Sequence, residues 1–264
     1  MSPEELAEAG LLYAVDGAVA TITLHRPEVR NAQTPRMWRA LAALGREIPG
    51  DVRVVLVRGS GHSFSAGLDR AMLDPASAGD GTESVAGLLA LSDDEVSATI
   101  DDYQQGFTFL RDPRFISIAV VQGYAIGAGF QLALSCDLRV LSDDAQFAMK
   151  ESALGLVPDL TGTKPLVESV GYARALEICV TARMVGAREA VDIGLATAAV
   201  PATELDATVG DLVAALTAPM PGAARGTKAL LQGAAAHDLD TQRRLEREAQ
   251  VGRFRELAAL LGAG

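Results

Sequence analysis

The chain has 264 residues, is 49% hydrophobic with 5% aromatics, and carries a formal net charge of −11. That length buries one large core, or a core plus an appendage. An acidic surface argues against nucleic acid as a partner, which needs a basic face, but leaves room for an anionic small molecule held by a local basic patch.

Leu12–Val15 and Val19–Leu24 read as short strands joined at Asp16-Gly17, a hairpin signal. His25 to Asn31 is a turn. Thr34-Pro35 then opens a helix, with Thr as N-cap and Pro in the first helical position. Met37, Leu41 and Leu44 form its apolar stripe. Val52–Val57 is nearly continuously apolar, as in a strand covered on both faces. It runs into a loop of small residues, Gly59 to Asp69, where backbone can approach a ligand closely. Asp74–Glu83, rich in Pro, Gly, Ser and Asp, reads as a mobile surface loop. Helical segments follow at Ser84–Leu91 and Asp94–Arg111.

Phe115–Gln122 is a buried strand. Gly123 to Asp137 passes through Gly127-Ala128-Gly129 into a buried helix, a junction that aims unpaired N–H groups at negative charge. Asp137–Leu141 and Phe147–Met149 are extended, and Lys150–Asp159 is irregular. Helices are expected over Thr163–Val170, Tyr172–Val180 and Ala187–Gly194, with a strand at Ala196–Val200. Beyond Pro201 every segment reads as helical: Glu204–Leu216, Ala223–Gly233 and Thr241–Leu261. Phe254, Leu257 and Leu261 share one face of the last helix. The class is α/β, with a core over residues 1–200 and a helical region over 201–264.

Cys136 and Cys179 each lie in an apolar segment and are expected as buried, reduced thiols. His25, His62 and His237 are scattered without zinc spacing. The N-terminal MSPEELAEAG has no apolar core of a signal peptide, and no apolar run is long enough for a bilayer, so a soluble cytoplasmic protein with no membrane partner is expected. Phosphate motifs fail. Gly127-x-Gly129 is followed by Leu132 where a dinucleotide fingerprint needs Gly, and no G-x-x-x-x-G-K-[ST] occurs. Gly61-His62-Ser63-Phe64-Ser65 lacks the last Gly of a nucleophile elbow. What remains is a pair of loops preparing an oxyanion site.

His25-Arg26-Pro27 to Asn31-Ala32, Phe64 to Asp69, Gly123 to Gly129, Cys136-Asp137, and Phe147 through Glu151 to Gly155 occur in an order and spacing that resembles the crotonase superfamily, the enoyl-CoA hydratase/isomerase family. The resemblance covers nearly the whole chain. It implies a crotonase-like spiral of ββα repeats, C-terminal helices that build a homotrimer or homohexamer, and an acyl-CoA thioester substrate. No separate cofactor is implied, because CoA is part of the substrate. The thioester oxygen would be bound by the backbone N–H groups of Leu68 and Ala128, which stabilise an enolate more than the ground state. CoA-binding positions are implied at Ala66, whose backbone meets the adenine, and at Asp69 in the same loop. Arg26, Arg30 and Lys228 are the candidates for its phosphates.

The family's hydratases use two glutamates. One maps onto Glu151, expected in an apolar pocket with a raised pKa suited to taking and returning a proton. The other maps onto Gln131, an amide that cannot accept a proton at neutral pH. Gln131 is read as pocket-lining, or as a core amide bonded to backbone. Asp159 stands where many members have Gly. It is read as a proton relay beside Glu151, as a cap of the helix near Thr161, or as bonded locally in the Pro158-Asp159 turn. The expected activity is enoyl-CoA double-bond isomerisation with Glu151 as acid/base, in fatty acid or related acyl-CoA metabolism. The alternatives are a hydratase relying on Glu151 alone and a non-catalytic acyl-CoA binding protein.

Overall fold

Two sheets of different size set the frame. The computed structural model describes residues 1–73 and 83–262; of the loop expected at Asp74–Glu83, residues 74–82 lie outside these. A helix α1 (Pro3–Glu8) precedes the hairpin β1 (Leu11–Asp16) and β2 (Val19–Leu24), then α2 (Pro35–Glu47) and β3 (Val54–Gly59). Helices α3 (Val85–Leu88) and α4 (Asp93–Thr108) lead to β4 (Ile116–Val121), β5 (Tyr124–Ile126) and α5 (Ala128–Ser135). Next come β6 (Leu138–Ser142), β7 (Gln146–Ala148), α6 (Thr163–Val170), α7 (Tyr172–Thr181), β8 (Val185–Gly186), α8 (Ala187–Asp192) and β9 (Ala198–Val200). The chain ends in α9 (Leu205–Thr217), α10 (Pro221–Gly233) and α11 (Leu239–Leu260).

The larger sheet has the order β1-β2-β3-β4-β6-β9, parallel except for the β1/β2 hairpin. The smaller has the order β5-β7-β8. Single bridges between Gln33 and Leu68 and between Ser65 and Ala125 continue this second wall toward the start of the chain. Each turn of chain therefore lays a strand in the large sheet, an extended piece in the second wall, then a helix, as in β4–β5–α5. This is the ββα winding that the family resemblance implies.

Burial on both faces explains the uniform apolarity of the central strands. Val55 and Val57 face the main core with Phe64, Phe107 and Phe130. Val54 faces the other way, joining Ile118, Val120 and Val140 under Leu205 and Val209 of α9. The strand begins at Val54 rather than Val52, because Val52 N–H closes a turn onto the carbonyl of Pro49. Besides the short β8, two elements were not expected. Helix α1 forms on a capping box, in which Ser2 Oγ accepts from Glu5 N–H and the Glu5 carboxylate accepts from Ser2 N–H. Tyr124–Ile126, read as part of a junction, is a strand because β7 pairs with it. Cys136 is buried as expected, whereas Cys179 is only half-buried.

The C-terminal helices differ in how they meet the core. Helix α9 covers the large sheet, while α11 has no buried residue along its 22 positions. Phe254 is 61% and Leu261 80% exposed, so the expected apolar face exists but no described residue buries it.

Candidate active site

The site is built where two loops of small residues meet on the second wall. The first, residues 63–69, is held by buried polar side chains. Asn31 sits in the left-handed region at φ 54. Its Nδ2 donates to the carbonyls of Ser60 at 2.9 Å and Ser63 at 2.8 Å, and its Oδ1 accepts from Arg26 N–H at 2.9 Å. Ser65 Oγ donates to the Asn31 carbonyl at 2.7 Å and accepts from Gly67 N–H at 3.1 Å. Gln33 Nε2 donates to the same hydroxyl at 3.1 Å, while its Oε1 accepts from Trp38 Nε1 at 2.8 Å. Gln33 N–H and Asp69 N–H complete the bridge around Leu68. None of Gln33, Ser65 and Trp38 was singled out from sequence. The available signal was polar residues in segments otherwise small and apolar.

The second loop enters α5. Gly127 N–H donates to the Ala148 carbonyl at 2.8 Å, and the Gly127 carbonyl accepts from Gln131 N–H at 2.9 Å. Two glycines permit the approach. At Gly67, with φ +86, a Cβ would lie 2.4 Å from the Ile126 carbonyl oxygen and 3.5 Å from Ala128 N. At Gly127, with φ +52, a Cβ would lie 3.4 Å from Glu151 Oε1. Leu68 N–H and Ala128 N–H make no hydrogen bond among the described residues. Unpaired backbone N–H groups in a packed interior are uncommon. Here two of them lie on loops in van der Waals contact, one at the start of an eight-residue helix buried throughout.

Glu151 follows β7 and opens a single 3₁₀ turn, Glu151–Leu154. It is 9% exposed. Its Oε1 accepts from Gln131 Nε2 at 2.7 Å, and its Oε2 is buried with no partner. Burial pushes its pKa above the usual carboxylate range; hydrogen bonds from its own backbone and from Gln131 oppose that, and the charge of Asp159 adds to it. Gln131 is wholly buried, and its Oε1 accepts from Leu160 N–H at 2.8 Å and Gly162 N–H at 3.3 Å. The amide is thus both bonded to backbone and in contact with the candidate acid/base.

Asp159 does not cap α6. Gly162 is the N-cap residue, and no capping side chain closes the first turn. The Asp159 carbonyl accepts from Gln104 Nε2 of α4 at 2.6 Å, while its carboxylate bonds to no other residue among those described. Its carboxyl is also pushed up, by burial, although one side stays open to solvent.

The family model for enoyl-CoA hydratase/isomerase matches residues 14–258. The chain belongs to the enoyl-CoA hydratase/isomerase family. A probable enoyl-CoA hydratase of Rhizobium meliloti (strain 1021) is 33% identical over 187 residues, 70% of this chain and 66% of that protein. The peroxisomal Delta(3,5)-Delta(2,4)-dienoyl-CoA isomerase of Arabidopsis thaliana is 33% identical over 222 residues, 82% of this chain and 78% of that protein. A Thermobifida fusca YX protein crystallised with acetoacetyl-CoA superposes with a TM-score of 0.92 at 53% identity, covering 97% of this chain and 98% of that one. The crotonase resemblance drawn from the motifs therefore holds.

The cations expected in this enoyl-CoA hydratase/isomerase family member for CoA phosphates fare differently. Lys228 is committed to contacts within the fold. Its ammonium is buried and donates at 2.7 Å to the carbonyls of Asp112 and Phe115 and to Asp137 Oδ2, so all three donors are used in anchoring α10 to the core. Arg26 Nη1 donates to Asp69 Oδ2 at 2.8 Å and to the Ala32 carbonyl at 2.7 Å, so Arg26 and Asp69 largely neutralise one another. Arg30 is exposed, lies 5.9 Å from the Tyr124 ring centroid and has no ion pair among the described residues. Ala66 N–H donates to the Arg30 carbonyl, and the Ala66 carbonyl accepts no hydrogen bond among the described residues. No described helix is long and apolar enough to cross a membrane.

Proposed function

We propose that this protein isomerises the double bond of an enoyl-CoA thioester through an enolate, acting in fatty acid or related acyl-CoA metabolism. Leu68 and Ala128 N–H groups bind the thioester oxygen as charge builds on it, each donor worth about 3 kcal/mol in such a site. Glu151 removes a proton from one carbon and delivers it to another. The thioester conjugates to the enolate, so no separate cofactor is required. Arg30 is the cation best placed for the CoA phosphates, and the free carbonyl of Ala66 suits the adenine amine.

The observation carrying this reading is the direct 2.7 Å contact between Gln131 Nε2 and Glu151 Oε1. A water held between two such groups needs roughly 5 Å, two hydrogen-bond lengths. With that place closed, the remaining reactive atom is Glu151 Oε2. Such an oxygen suits proton transfer to and from carbon. Asp159, an exposed residue whose carboxylate bonds no other residue among those described and whose charge raises Glu151, is the second group for the relay. Incubation with 2-enoyl and 3-enoyl thioesters, separated chromatographically, tests the reading. Interconversion of the two is expected, whereas binding without conversion supports a non-catalytic acyl-CoA binding protein.

Gly67→Ala is expected to lower kcat by about 10²-fold, because the Cβ displaces the Leu68 donor. Steady-state kinetics on the active thioester measures it, and an unchanged kcat removes Leu68 N–H from the mechanism.

The bare apolar face of α11 supports assembly as a trimer or hexamer. Exposed Leu154, Leu156, Val157, Leu176 and Val180 add apolar surface beside the Glu151 turn. Surface of this extent is uncommon on a monomer. Light scattering at micromolar concentration is expected to give three or six chains, and a monomer contradicts the assignment.

A further inference from the structure

We propose that Gln131 is a positioning residue that decides which oxygen of Glu151 carries the proton: the amide holds Oε1, and Oε2 exchanges the proton with substrate. This rests on the assignment of Glu151 as acid/base in the isomerase reading. It adds a role for the residue whose identity separates this chain from the two-glutamate pattern.

The amide has one workable orientation. Two backbone donors, Leu160 N–H and Gly162 N–H, face the Gln131 oxygen. Flipping the amide would set its NH2 against both of them, so Nε2 is the atom that faces Glu151. The side chain is also confined sterically. A Cβ built on Gly162 would lie 2.7 Å from Gln131 Cγ, which shows how closely that backbone packs on it. Gln131 therefore joins α5, the Leu160–Gly162 backbone and the Glu151 turn through one amide.

The consequence for Glu151 is an asymmetry between its oxygens. A proton on Oε1 would point at the amide hydrogen, whereas Oε2 is buried, unpartnered and free to hold one. The Gln131 hydrogen bond persists in both protonation states, because a protonated carboxyl still presents Oε1 as acceptor. Proton exchange at Oε2 then requires no rearrangement around Oε1. Both oxygens border the oxyanion loop, with a Cβ at Gly127 falling 3.4 Å from Oε1 and 3.8 Å from Oε2.

The other titratable groups facing this carboxylate are few. Asp159 acts from the loop before α6, and Cys179 of α7 feels the Glu151 charge. The ammonium of the adjacent Lys150 donates to the Ala182 carbonyl. Gln131 is thus the side chain that bonds Glu151 directly and lowers its pKa against burial.

The test uses full-length Gln131→Met and Gln131→Glu, each read by carbon-13 NMR titration of the Glu151 carboxyl, assigned with Glu151→Gln, and by the pH profile of kcat/KM. Gln131→Met is expected to raise the Glu151 titration. It should carry the acid limb of kcat/KM to higher pH, with kcat down about tenfold at neutral pH, partly restored at high pH, and KM nearly unchanged. Gln131→Glu keeps an acceptor for Leu160 N–H, so it is expected to fold. Its two carboxyls should share a proton and titrate in two separated steps. A Gln131→Met protein of native thermal stability whose titration and pH profile do not move overturns the proposal. Should Gln131→Met not fold, a Glu151 carboxyl titrating without separation in Gln131→Glu overturns it. The NMR titration needs no substrate. A shifted titration in a protein without isomerase turnover therefore keeps Gln131's role and defeats the isomerase reading, and the converse result separates them the other way.

Discussion

Glu151→Gln is expected to lower turnover of an enoyl-CoA by about 10³-fold while leaving thioester affinity within a few-fold. The substitution keeps the shape of the side chain and its acceptor for Gln131, and removes only the capacity to take a proton. It should also stabilise the fold at alkaline pH. Burial raises the Glu151 pKa above the ordinary glutamate value, so the folded state binds this proton more tightly than the unfolded chain does. The stability linked to that proton is fully present below the ordinary value, near 4.3, and is lost as pH rises through the raised one. The variant carries no such charge. Its melting temperature should exceed that of the natural protein at pH 8, and the difference should close as pH falls toward 4. Calorimetry across this range, beside steady-state kinetics, measures both effects. Unchanged turnover removes Glu151 from the chemistry, and an equal pH dependence in both proteins shows that its charge is not buried at a cost.

Lys228→Met is expected to cost about 3–5 kcal/mol of stability, and a melting temperature lower by roughly 10 °C. The ammonium bonds Asp137 Oδ2, which also accepts from Ser117 N–H at 2.8 Å. Removing it strands a half-buried carboxylate and two backbone carbonyls at the junction of α10 with β4. Asp137→Asn added to Lys228→Met should recover part of the loss, because it removes the stranded charge. Thermal denaturation of the single and double variants checks this. A normal melting temperature with weakened CoA-thioester binding would restore Lys228 to the phosphate-binding role the resemblance implied.

The sequence revealed most where backbone geometry constrains residue type. Gly67 and Gly127 mark positions of positive φ and close approach, and their loops were found from small residues following buried strands. The apolar run Val52–Val57 announced a strand covered on both faces because its alternate residues do face two cores. Side-chain partnerships across long separations were not legible. Lys228 and Asp137 lie 91 residues apart, and nothing local to either tells an anchoring ammonium from a solvated one. Gln131 was open between pocket-lining and core amide; it is wholly buried, bonded to Leu160 N–H on one side and to Glu151 on the other. Asp159 was open between cap and relay. The cap fails because α6 begins at Thr163, where the sequence placed it, with Gly162 as its N-cap and no capping side chain. The exposed Leu261 shows the same limit from the opposite side: a helix face spaced for burial is present, but no described residue covers it.

In the proposed reaction Glu151 moves a proton between carbons and adds no water. Mass spectrometry of the thioester products formed in heavy-oxygen water tests it most directly. An isomer of unchanged mass, with no heavy oxygen in the acyl chain, is expected. A product heavier by one labelled water would contradict it, and would make the protein a hydratase working with a single glutamate.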